Sequence, residues 1–361
     1  MTTMSSATTD DYRALAEQIR SAGLMKPRPW YYAMKMSLTV VAFAAGWAAF
    51  FVVGNSWATL GIAVFLAVAF TQVVFFGHDA GHQQIFASRR ANRLVGLTVA
   101  NGLTGLSFGW WVPKHNAHHA FPNQLDRDPD IGAGAIALTF TAALAERRHG
   151  LGRLFVRWQA WLFFPLLALE GLGLHISSIQ AIARRRDRGA LVEGLLLVVN
   201  AALYMTVVFW VLSPLRAVAF IAVQQGLFGL YLGCSFAPNH KGMPIIEREA
   251  KMSFVQQQVL TARDVTGGRI VTFMLGGLNY QIAHHLFPNM PRPNLARAQG
   301  FIRAFCADHQ LAFCEASLVG SYRQALRFLQ TVGAGRDPIF PVPAVLEAVA
   351  VGHASGPGHA A

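Results

Sequence analysis

Residues Met36–Gly77 read MSLTVVAFAAGWAAFFVVGNSWATLGIAVFLAVAFTQVVFFG and contain no charged side chain. A helix needs about 20 apolar residues to cross a hydrocarbon layer about 30 Å thick, so this stretch is long enough for two. The triplet Gly54-Asn55-Ser56 divides it near its middle. The sequence therefore predicts two membrane-spanning helices, over about 33–53 and 57–77, joined as a hairpin.

A second apolar stretch, 191–236, is interrupted at Ser213-Pro214 and predicts two further spans, over about 191–212 and 216–236. The whole chain is 53% apolar and only 13% charged, whereas soluble domains average about 25% charged residues. We predict an all-α integral membrane protein with four transmembrane helices in two hairpins. The predicted organisation is a cytosolic N-terminal extension (1–29), a membrane domain (30–331) and a flexible C-terminal tail (332–361).

The basic residues predict the orientation of the chain. The net charge is +12, and in the four-span topology every Lys and Arg except Arg216 falls on one side. That side carries both termini and the segment between the hairpins, and the positive-inside rule makes it cytoplasmic. Because membrane topology accounts for the excess of Lys and Arg, we exclude nucleic acid as a partner.

Two other apolar stretches are ambiguous. Leu94–Pro113 is uncharged but contains four glycines and Asn101, and we interpret it as re-entrant or packed against the functional site. Trp158–Ile182 contains Glu170 and His175, and we expect it at the membrane interface. The alternative is that both stretches cross the membrane as an extra pair of helices. The chain after the last span would still lie on the cytoplasmic side.

Three histidine clusters lie beside the predicted spans. On a helix, positions i and i+3 or i+4 share one face, so each cluster presents its imidazoles together. A single buried histidine is usually a hydrogen-bonded core residue, but adjacent imidazoles each need partners for two ring nitrogens. Transition metals provide such partners. The clusters are His78-Asp79-Ala80-Gly81-His82, His115-Asn116-Ala117-His118-His119 and Gln281-Ile282-Ala283-His284-His285, with His240 standing alone after the fourth span.

The number of imidazoles restricts the kind of metal site. Imidazole suits zinc, copper, iron and nickel. Eight imidazoles exceed the four ligands of one zinc, so two metals with four or five ligands each fit the count. The main acidic neighbour is Asp79, which leaves the ligand set almost entirely neutral. Such a metal pair would stay electron-poor, which suits oxidation by activated O₂.

These clusters resemble the three histidine boxes of membrane fatty-acyl desaturases. The segment Gly276–Leu295, GGLNYQIAHHLFPNMPRPNL, is most similar to the front-end, linoleoyl-CoA desaturase-like branch, in which Gln replaces the first His of the third box, as Gln281 does here. The resemblance covers roughly residues 30–310. It implies a membrane desaturase domain of four transmembrane helices with a cytosolic helical cap that holds a di-iron site.

The resemblance also implies roles for single residues. His240 stands where the family places an additional ligand, and Gln281 would ligate directly or through water. Asp79 and Asn116 are expected to orient ligand imidazoles through hydrogen bonds. No protein side chain is assigned to the C–H chemistry itself, which the metal carries. The iron ligands that the resemblance implies are His78, His82, His115, His118, His119, His284 and His285, with His240 as the eighth.

The activity implied is O₂-dependent formation of a cis double bond in an acyl chain, carried as acyl-CoA or acyl-lipid. Many front-end desaturases carry a fused cytochrome b5 domain, but this sequence lacks its His-Pro-Gly-Gly motif. We therefore expect a separate electron donor, which could be a ferredoxin, a cytochrome b5 or a flavin reductase. We expect the chain in a bacterial-type plasma membrane with its active site on the cytoplasmic face.

Other functions are compatible with the clusters. A membrane hydroxylase, ketolase or acetylenase would use the same site and differ only in the step after the first hydrogen removal. A metal transporter is the non-enzymatic alternative, but transporters place ionisable ligands near the middle of the membrane. The predicted hairpins lack charges and histidines in their interiors, which disfavours transport.

Overall fold

The structure is a computed structural model that describes residues 7–131, 138–338 and 340. Most of the expected C-terminal tail lies outside these residues. Within them most residues are helical and strands are almost absent, which confirms the all-α class. The α-helices are α1 (Thr9–Ser21), α2 (Pro29–Val53), α3 (Thr59–Gly81), α4 (Arg89–Gly96), α5 (Phe108–Ala120), α6 (Ala142–Glu146), α7 (Gly150–Arg157), α8 (Gln159–Leu167), α9 (Glu170–Arg184), α10 (Arg188–Val211), α11 (Pro214–His240), α12 (Phe254–Leu260), α13 (Gly268–Met274), α14 (Gln281–Leu286), α15 (Leu295–Asp308) and α16 (Leu318–Gly333).

Four of these helices, α2, α3, α10 and α11, are long and apolar enough to cross a membrane. They coincide with the four predicted spans, but α3 and α11 continue beyond the predicted ends. Each adds about one turn that carries histidine, up to Gly81 in α3 and to His240 in α11. In both helices the apolar stretch therefore ends before the helix does, and the extra turn carries a candidate metal ligand, His78 in α3 and His240 in α11.

Helices α3 and α11 form the centre of the membrane part. They are the most buried of the four, whereas α2 and α10 expose most of their surface. Phe70 of α3 packs on Phe228 of α11, and Phe50 of α2 packs on Phe220 with ring centroids 4.8 Å apart. Because α3 and α11 pack directly on each other, their histidine-bearing ends lie side by side.

The ambiguous stretch 94–113 is broken into three parts. The end of α4 leads into a π-helix, Leu97–Thr104, and then through Gly105, with φ +70°, to α5. Glu193 of α10 accepts hydrogen bonds from the Ser107 hydroxyl (2.7 Å) and the Gly109 N–H (2.9 Å). The stretch is thus packed against α10 through buried polar contacts, and not one of its parts is long enough to span alone.

The second ambiguous stretch forms α8 and α9, which meet at a bend of 69°. Together they are long and apolar enough to form a broken span or a re-entrant loop. Helix α9 packs so closely on α11 that a Cβ added to Gly229 of α11 would lie 2.6 Å from the backbone N of Gly171 of α9. Only glycine allows this approach of the two backbones.

The C-terminal third packs around the ends of the membrane helices. Strands β1 (Asp264–Thr266) and β2 (Glu315–Ser317) pair in parallel, and α14 packs close to β1. Arg263, fully buried, donates to the carbonyls of Pro238 (3.0 Å) and Lys241 (2.7 Å) at the end of α11. This cation ties the residue before β1 to the end of the helix that carries His240.

Candidate metal centre

The eight predicted histidines converge at one place, although they come from four helices. α3 supplies His78 and, just after its end, His82, whereas α11 supplies His240. α5 and α14 end in the repeated pattern His-His-x-Phe-Pro-Asn, and the proline stops each helix just after the histidines. The remaining histidines of the site are His115, His118 and His119 of α5 and His284 and His285 of α14.

We define the first histidine group as His78, His82, His115 and His284. One ring nitrogen of each lies within 4.8 Å of those of the other three. His119 joins this group, because its Nε2 lies 3.1 Å from Nε2 of His115. Metal–imidazole bonds of about 2 Å place neighbouring ligand nitrogens about 3 Å apart, so these spacings suit a single ion.

We define the second histidine group as His118, His240 and His285, whose ligand nitrogens also lie within 4.8 Å of one another. Nε2 of His118 and Nε2 of His240 are 3.4 Å apart. The side-chain amide of Gln281 reaches the same place, with Nε2 2.9 Å from Nε2 of His240. The third cluster therefore contributes to both groups, and Gln281 stands beside the second.

Hydrogen bonds fix which ring nitrogen faces the centre. When Nδ1–H donates to an acceptor outside the group, the Nε2 lone pair is left free for a metal. Four of the eight histidines have such an acceptor. The pairs are His118 with Asp128 (3.0 Å), His240 with the Thr261 carbonyl (3.0 Å), His285 with Gln258 Oε1 (2.8 Å) and His78 with Asp79 (3.3 Å).

Several buried ring nitrogens have no hydrogen-bond partner among the described residues. These are Nε2 of His78, His82 and His285, Nδ1 of His119, and both nitrogens of His284. A buried polar atom without a hydrogen-bond partner is costly. Two transition-metal ions would satisfy these atoms, so the residues present fit such a pair.

The electrostatics keep these imidazoles in the form that binds metals. Burial lowers the pKa of His82, His115, His119, His284 and His285 well below the ordinary value, and repulsion from neighbouring imidazoles lowers it further. Neutral imidazole is the metal-binding form, so little proton release is needed on binding.

The two predicted orienting residues lie in different surroundings. Asp79 is buried beside His78, and its Oδ2 lies 2.7 Å from Nη2 of Arg292. Asn116 is exposed on the outer side of α5, and among the described residues no hydrogen bond joins it to an imidazole. The structure thus supports an orienting role for Asp79 and offers none for Asn116.

Sequence reasoning missed three residues that surround the imidazoles. Asp128 comes after the second cluster in an acidic segment, Asp126–Asp130, which was a detectable signal. Arg292 lies inside the segment that carried the resemblance. Gln258 stands in an ordinary helix, α12, and no local pattern distinguishes it.

An apolar cavity of about 660 Å³ adjoins the histidines. His78, His115, His118 and His240 line one part of it, and nine leucine and four phenylalanine side chains are among the other lining residues. Trp111 stacks on His115, with ring centroids 4.4 Å apart, and also lines the cavity. Pockets of this size bind small organic ligands, and an apolar lining selects apolar ones.

This arrangement is typical of membrane-bound metalloenzymes that act on apolar substrates. The chain belongs to the fatty acid desaturase family, whose family model matches residues 55–317. The family membership and the oxidoreductase class predicted from the histidine clusters are thereby confirmed.

Relatives within the family are named desaturases. The chain is 29% identical to an acyl-lipid (9-3)-desaturase of Physcomitrium patens, over 89% of this chain and 62% of that protein. It is 28% identical to a delta(8)-fatty-acid desaturase of Helianthus annuus, over 92% of this chain and 75% of the relative. A delta(6)-fatty-acid desaturase of Caenorhabditis elegans is also 28% identical, over 90% and 75% respectively.

Proposed function

We propose that this chain introduces a cis double bond into a fatty acyl chain, with two iron ions held by the two histidine groups. The observation that carries the proposal is the convergence of eight imidazoles at one place, where four of them line an apolar cavity. The reaction consumes one O₂, two electrons and two protons, and with the two hydrogens taken from the chain it yields two waters. Iron bound there would supply the O₂-dependent oxidation of neighbouring methylene carbons.

The protein's own contribution is to orient and to exclude water. Asp79, Asp128, Gln258 and the Thr261 carbonyl hold four imidazoles by their outer nitrogens. The stacked ring of Trp111 and the apolar lining keep the acyl chain dry and in one path. Removal of hydrogen from a methylene needs no acid or base from the protein. The position of the double bond would depend on how deep the acyl chain lies in the cavity.

His240 and Gln281 complete the second histidine group in this proposal. Asn239 Nδ2 donates to Gln281 Oε1 (3.1 Å), which turns the amide nitrogen of Gln281 toward His240. A half-turn of this amide would present Oε1 to a metal bound by His240 instead. Gln281 would then ligate directly or through water, where the other clusters use imidazole.

We also propose the topology predicted from charge: two hairpins, α2–α3 and α10–α11, with α8 and α9 at the membrane interface and a cytosolic cap of the other helices around the site. The positive-inside asymmetry supports this orientation. Electrons would come from a separate ferredoxin, cytochrome b5 or flavin reductase on the same side. The relatives compared are eukaryotic, so a bacterial-type plasma membrane stays a prediction.

The experiment is fatty-acid analysis of a desaturase-deficient host that expresses the chain, with double-bond positions read by mass spectrometry of derivatised fatty acids. His118→Ala removes one ligand candidate, and His149→Ala is the matched control because His149 is exposed and outside the site. We expect a new double bond with the wild-type chain and with His149→Ala but not with His118→Ala.

The same experiment can contradict the proposal in two ways. A hydroxy or keto product would reassign the chain to a sister activity on the same site. Desaturation that persists in His118→Ala, or purified wild-type protein that binds no iron, would rule out the proposed centre. A transporter function is disfavoured because His78, His82 and His240 lie at the ends of α3 and α11 and not in the interiors of these helices.

A further inference from the structure

We propose that helix α13 is inserted into the lipid bilayer, where Ile270, Phe273 and Met274 contact lipid at the boundary between head groups and acyl chains. The topology proposed above counts α13 with the cytosolic cap, because a helix of seven residues is too short to span a membrane. The inference concerns membrane contact and does not depend on the reaction at the metal centre. It is carried by the exposed face of α13, by its contacts with spanning helices and by its hydrogen bonds.

Helix α13 exposes its apolar side chains. None of its seven described residues is buried, and Ile270, Phe273 and Met274 are 77%, 50% and 41% exposed. Its one charged residue, Arg269, stands in the first turn. A surface helix of a soluble domain turns its large apolar side chains toward the core. A helix that exposes all of them presents a face that another apolar phase covers.

The last turn of α13 lies against two spanning helices. The side-chain amide of Gln72 in α3 donates to the Phe273 carbonyl at 3.2 Å. The same amide donates to the hydroxyl of Tyr231 in α11 at 2.8 Å, and that hydroxyl lies 3.9 Å from Sδ of Met274. Polar side chains of two spanning helices therefore hold the end of α13 from its inner side.

These contacts fix the depth of α13. Gln72 and Tyr231 each stand five residues before the end of their predicted span, which corresponds to about 7.5 Å along a helix. Lys35 is the last residue before the uncharged stretch, and its ammonium group lies 5.9 Å from the centroid of the Phe273 ring. A lysine at the end of a span keeps its ammonium at the head-group level. Interfacial helices bury their apolar face about 5–10 Å into the same boundary.

The backbone at the end of α13 suits surroundings without water. In hydrocarbon each backbone carbonyl needs a donor from the protein itself. The carbonyls of the last turn have such donors, and Phe273 has a second one in Gln72. The backbone N–H groups of Leu275, Gly277 and Gly276 donate to the carbonyls of Val271 (2.8 Å), Thr272 (2.8 Å) and Phe273 (3.2 Å).

The chain enters and leaves α13 through glycines. Gly268 at its start has φ +70°, and Gly276 and Gly277 after its end have φ +60° and +83°, which favour glycine. A Cβ added to Gly276 would lie 2.5 Å from Cγ of Phe75 in α3. The returning segment thus runs directly along a spanning helix before it reaches the third histidine cluster.

Bilayer lipid is the occupant that this face fits. The face continues the outer surface of α2, the helix that carries Lys35, where Met34 and Leu38 are 55% and 59% exposed. The exposed side chains of spanning helices contact acyl chains, so the lipid that covers α2 also reaches α13. A second copy of the chain and bulk water are the alternatives that an experiment has to separate from lipid.

The experiment uses photo-crosslinking in the purified full chain, reconstituted into phosphatidylcholine vesicles. Phe273 is replaced by p-benzoylphenylalanine, which attaches to neighbouring C–H groups on illumination. The matched control is the same replacement of Phe301, a 37% exposed phenylalanine of α15, which packs on α1 and α14. Mass spectrometry of the intact protein should show a phospholipid adduct at position 273 in about tenfold higher yield than at position 301.

Ile270, the most exposed residue of the helix, is the second position for the probe and should also give the lipid adduct. Equal thermal unfolding midpoints establish that the replacements leave the fold intact. Cross-linked pairs of chains without lipid adducts would make this face a contact between copies and overturn the proposal. Absence of lipid adducts at both 270 and 273, or equal yields at 273 and 301, would return α13 to the cytosolic cap. Neither result bears on the proposed reaction, because the readout requires no activity.

Discussion

The carboxylate of Asp128 lies 3.0 Å from Nδ1 of His118, ten residues earlier in the chain. The same carboxylate accepts the backbone N–H of Asn123 at 2.7 Å, so it fixes the loop that leaves α5 as well as the imidazole. Burial opposes ionisation of Asp128, but the hydrogen bonds from His118 and from the Asp130 N–H hold its pKa below the ordinary value. An ionised carboxylate is thus kept beside one imidazole of the second histidine group.

Asp128→Asn should weaken metal binding by the second histidine group. Replacement of a carboxylate that orients a ligand imidazole typically costs about 10- to 100-fold in metal affinity. Iron retained after dialysis against graded chelator measures the effect. Asp126→Asn is the control, because Asp126 is an exposed acid in the same segment. Equal retention in the two variants would contradict the role given to Asp128.

Gln281→Ala should release one of the two metals more readily than the other. Gln281 lies beside the second histidine group only, whereas the first is complete without it. We expect iron content to fall toward half that of the wild-type protein, with the activity lost. Gln180→Ala, an exposed glutamine of α9, should retain both metals. Parallel loss of both ions would show that Gln281 acts on the whole site.

Arg292→Met should destabilise the protein, because it leaves Asp79 buried without its cation. The Asp79–Arg292 pair is 2.7 Å long and nearly inaccessible, and Arg292 also donates to the Phe75 carbonyl. Removal of one partner of a buried pair costs about 3–5 kcal/mol. Thermal unfolding in detergent measures this, with the exposed Arg297→Met as control. A change of under about 0.5 kcal/mol, typical of surface substitutions, would contradict it.

Asp264 should make stability depend on pH near neutrality. Burial raises its pKa to about 7 from an ordinary 3.8, although the Ile282 N–H and Gln299 donate to it. The folded state therefore binds the proton more tightly than the unfolded state. This contribution is complete below pH 3.8 and is lost as the pH rises through about 7.

Asp264→Asn removes that titration. Thermal unfolding in detergent measures the midpoint of both proteins at each pH. From pH 5 to pH 8 the midpoint of the wild-type protein should fall more than that of Asp264→Asn. Asp308→Asn, at an exposed acid of α15, should follow the wild-type curve. A constant difference between wild type and Asp264→Asn across this range would refute the shifted pKa.

The sequence predicted the spans well because hydrophobic length alone determines them. It placed the ends of α3 and α11 too early, because His78 and His240 are polar yet continue their helices. Histidine spacing predicted which imidazoles would lie on one helix face, since i, i+3 and i+4 positions coincide on any helix. Asn116 comes directly after His115 and so projects away from that face, which helical geometry already indicates.

The surroundings of the imidazoles could not be predicted locally. Gln258 meets His285 from another helix, and Arg292 meets Asp79 from a distant part of the chain, so tertiary packing brings each pair together. The π-helix over Leu97–Thr104 also has no sequence signature that we can name. Its position depends on Glu193 and Asn200 of α10, which contact it or the loop after it.

The contact between Tyr12 and Leu286 has a consequence for biogenesis. The Tyr12 hydroxyl donates to the Leu286 carbonyl at 2.8 Å, and the apolar side of α1 packs on α14 and α15. A ribosome makes α1 long before α14 and α15, so α1 stays uncovered while the residues between them are translated. His284 and His285 are made in the same part of the chain, so the metal site would be completed and loaded only after α14 has been translated. A nascent chain arrested before α14 would hold neither a covered α1 nor a finished centre.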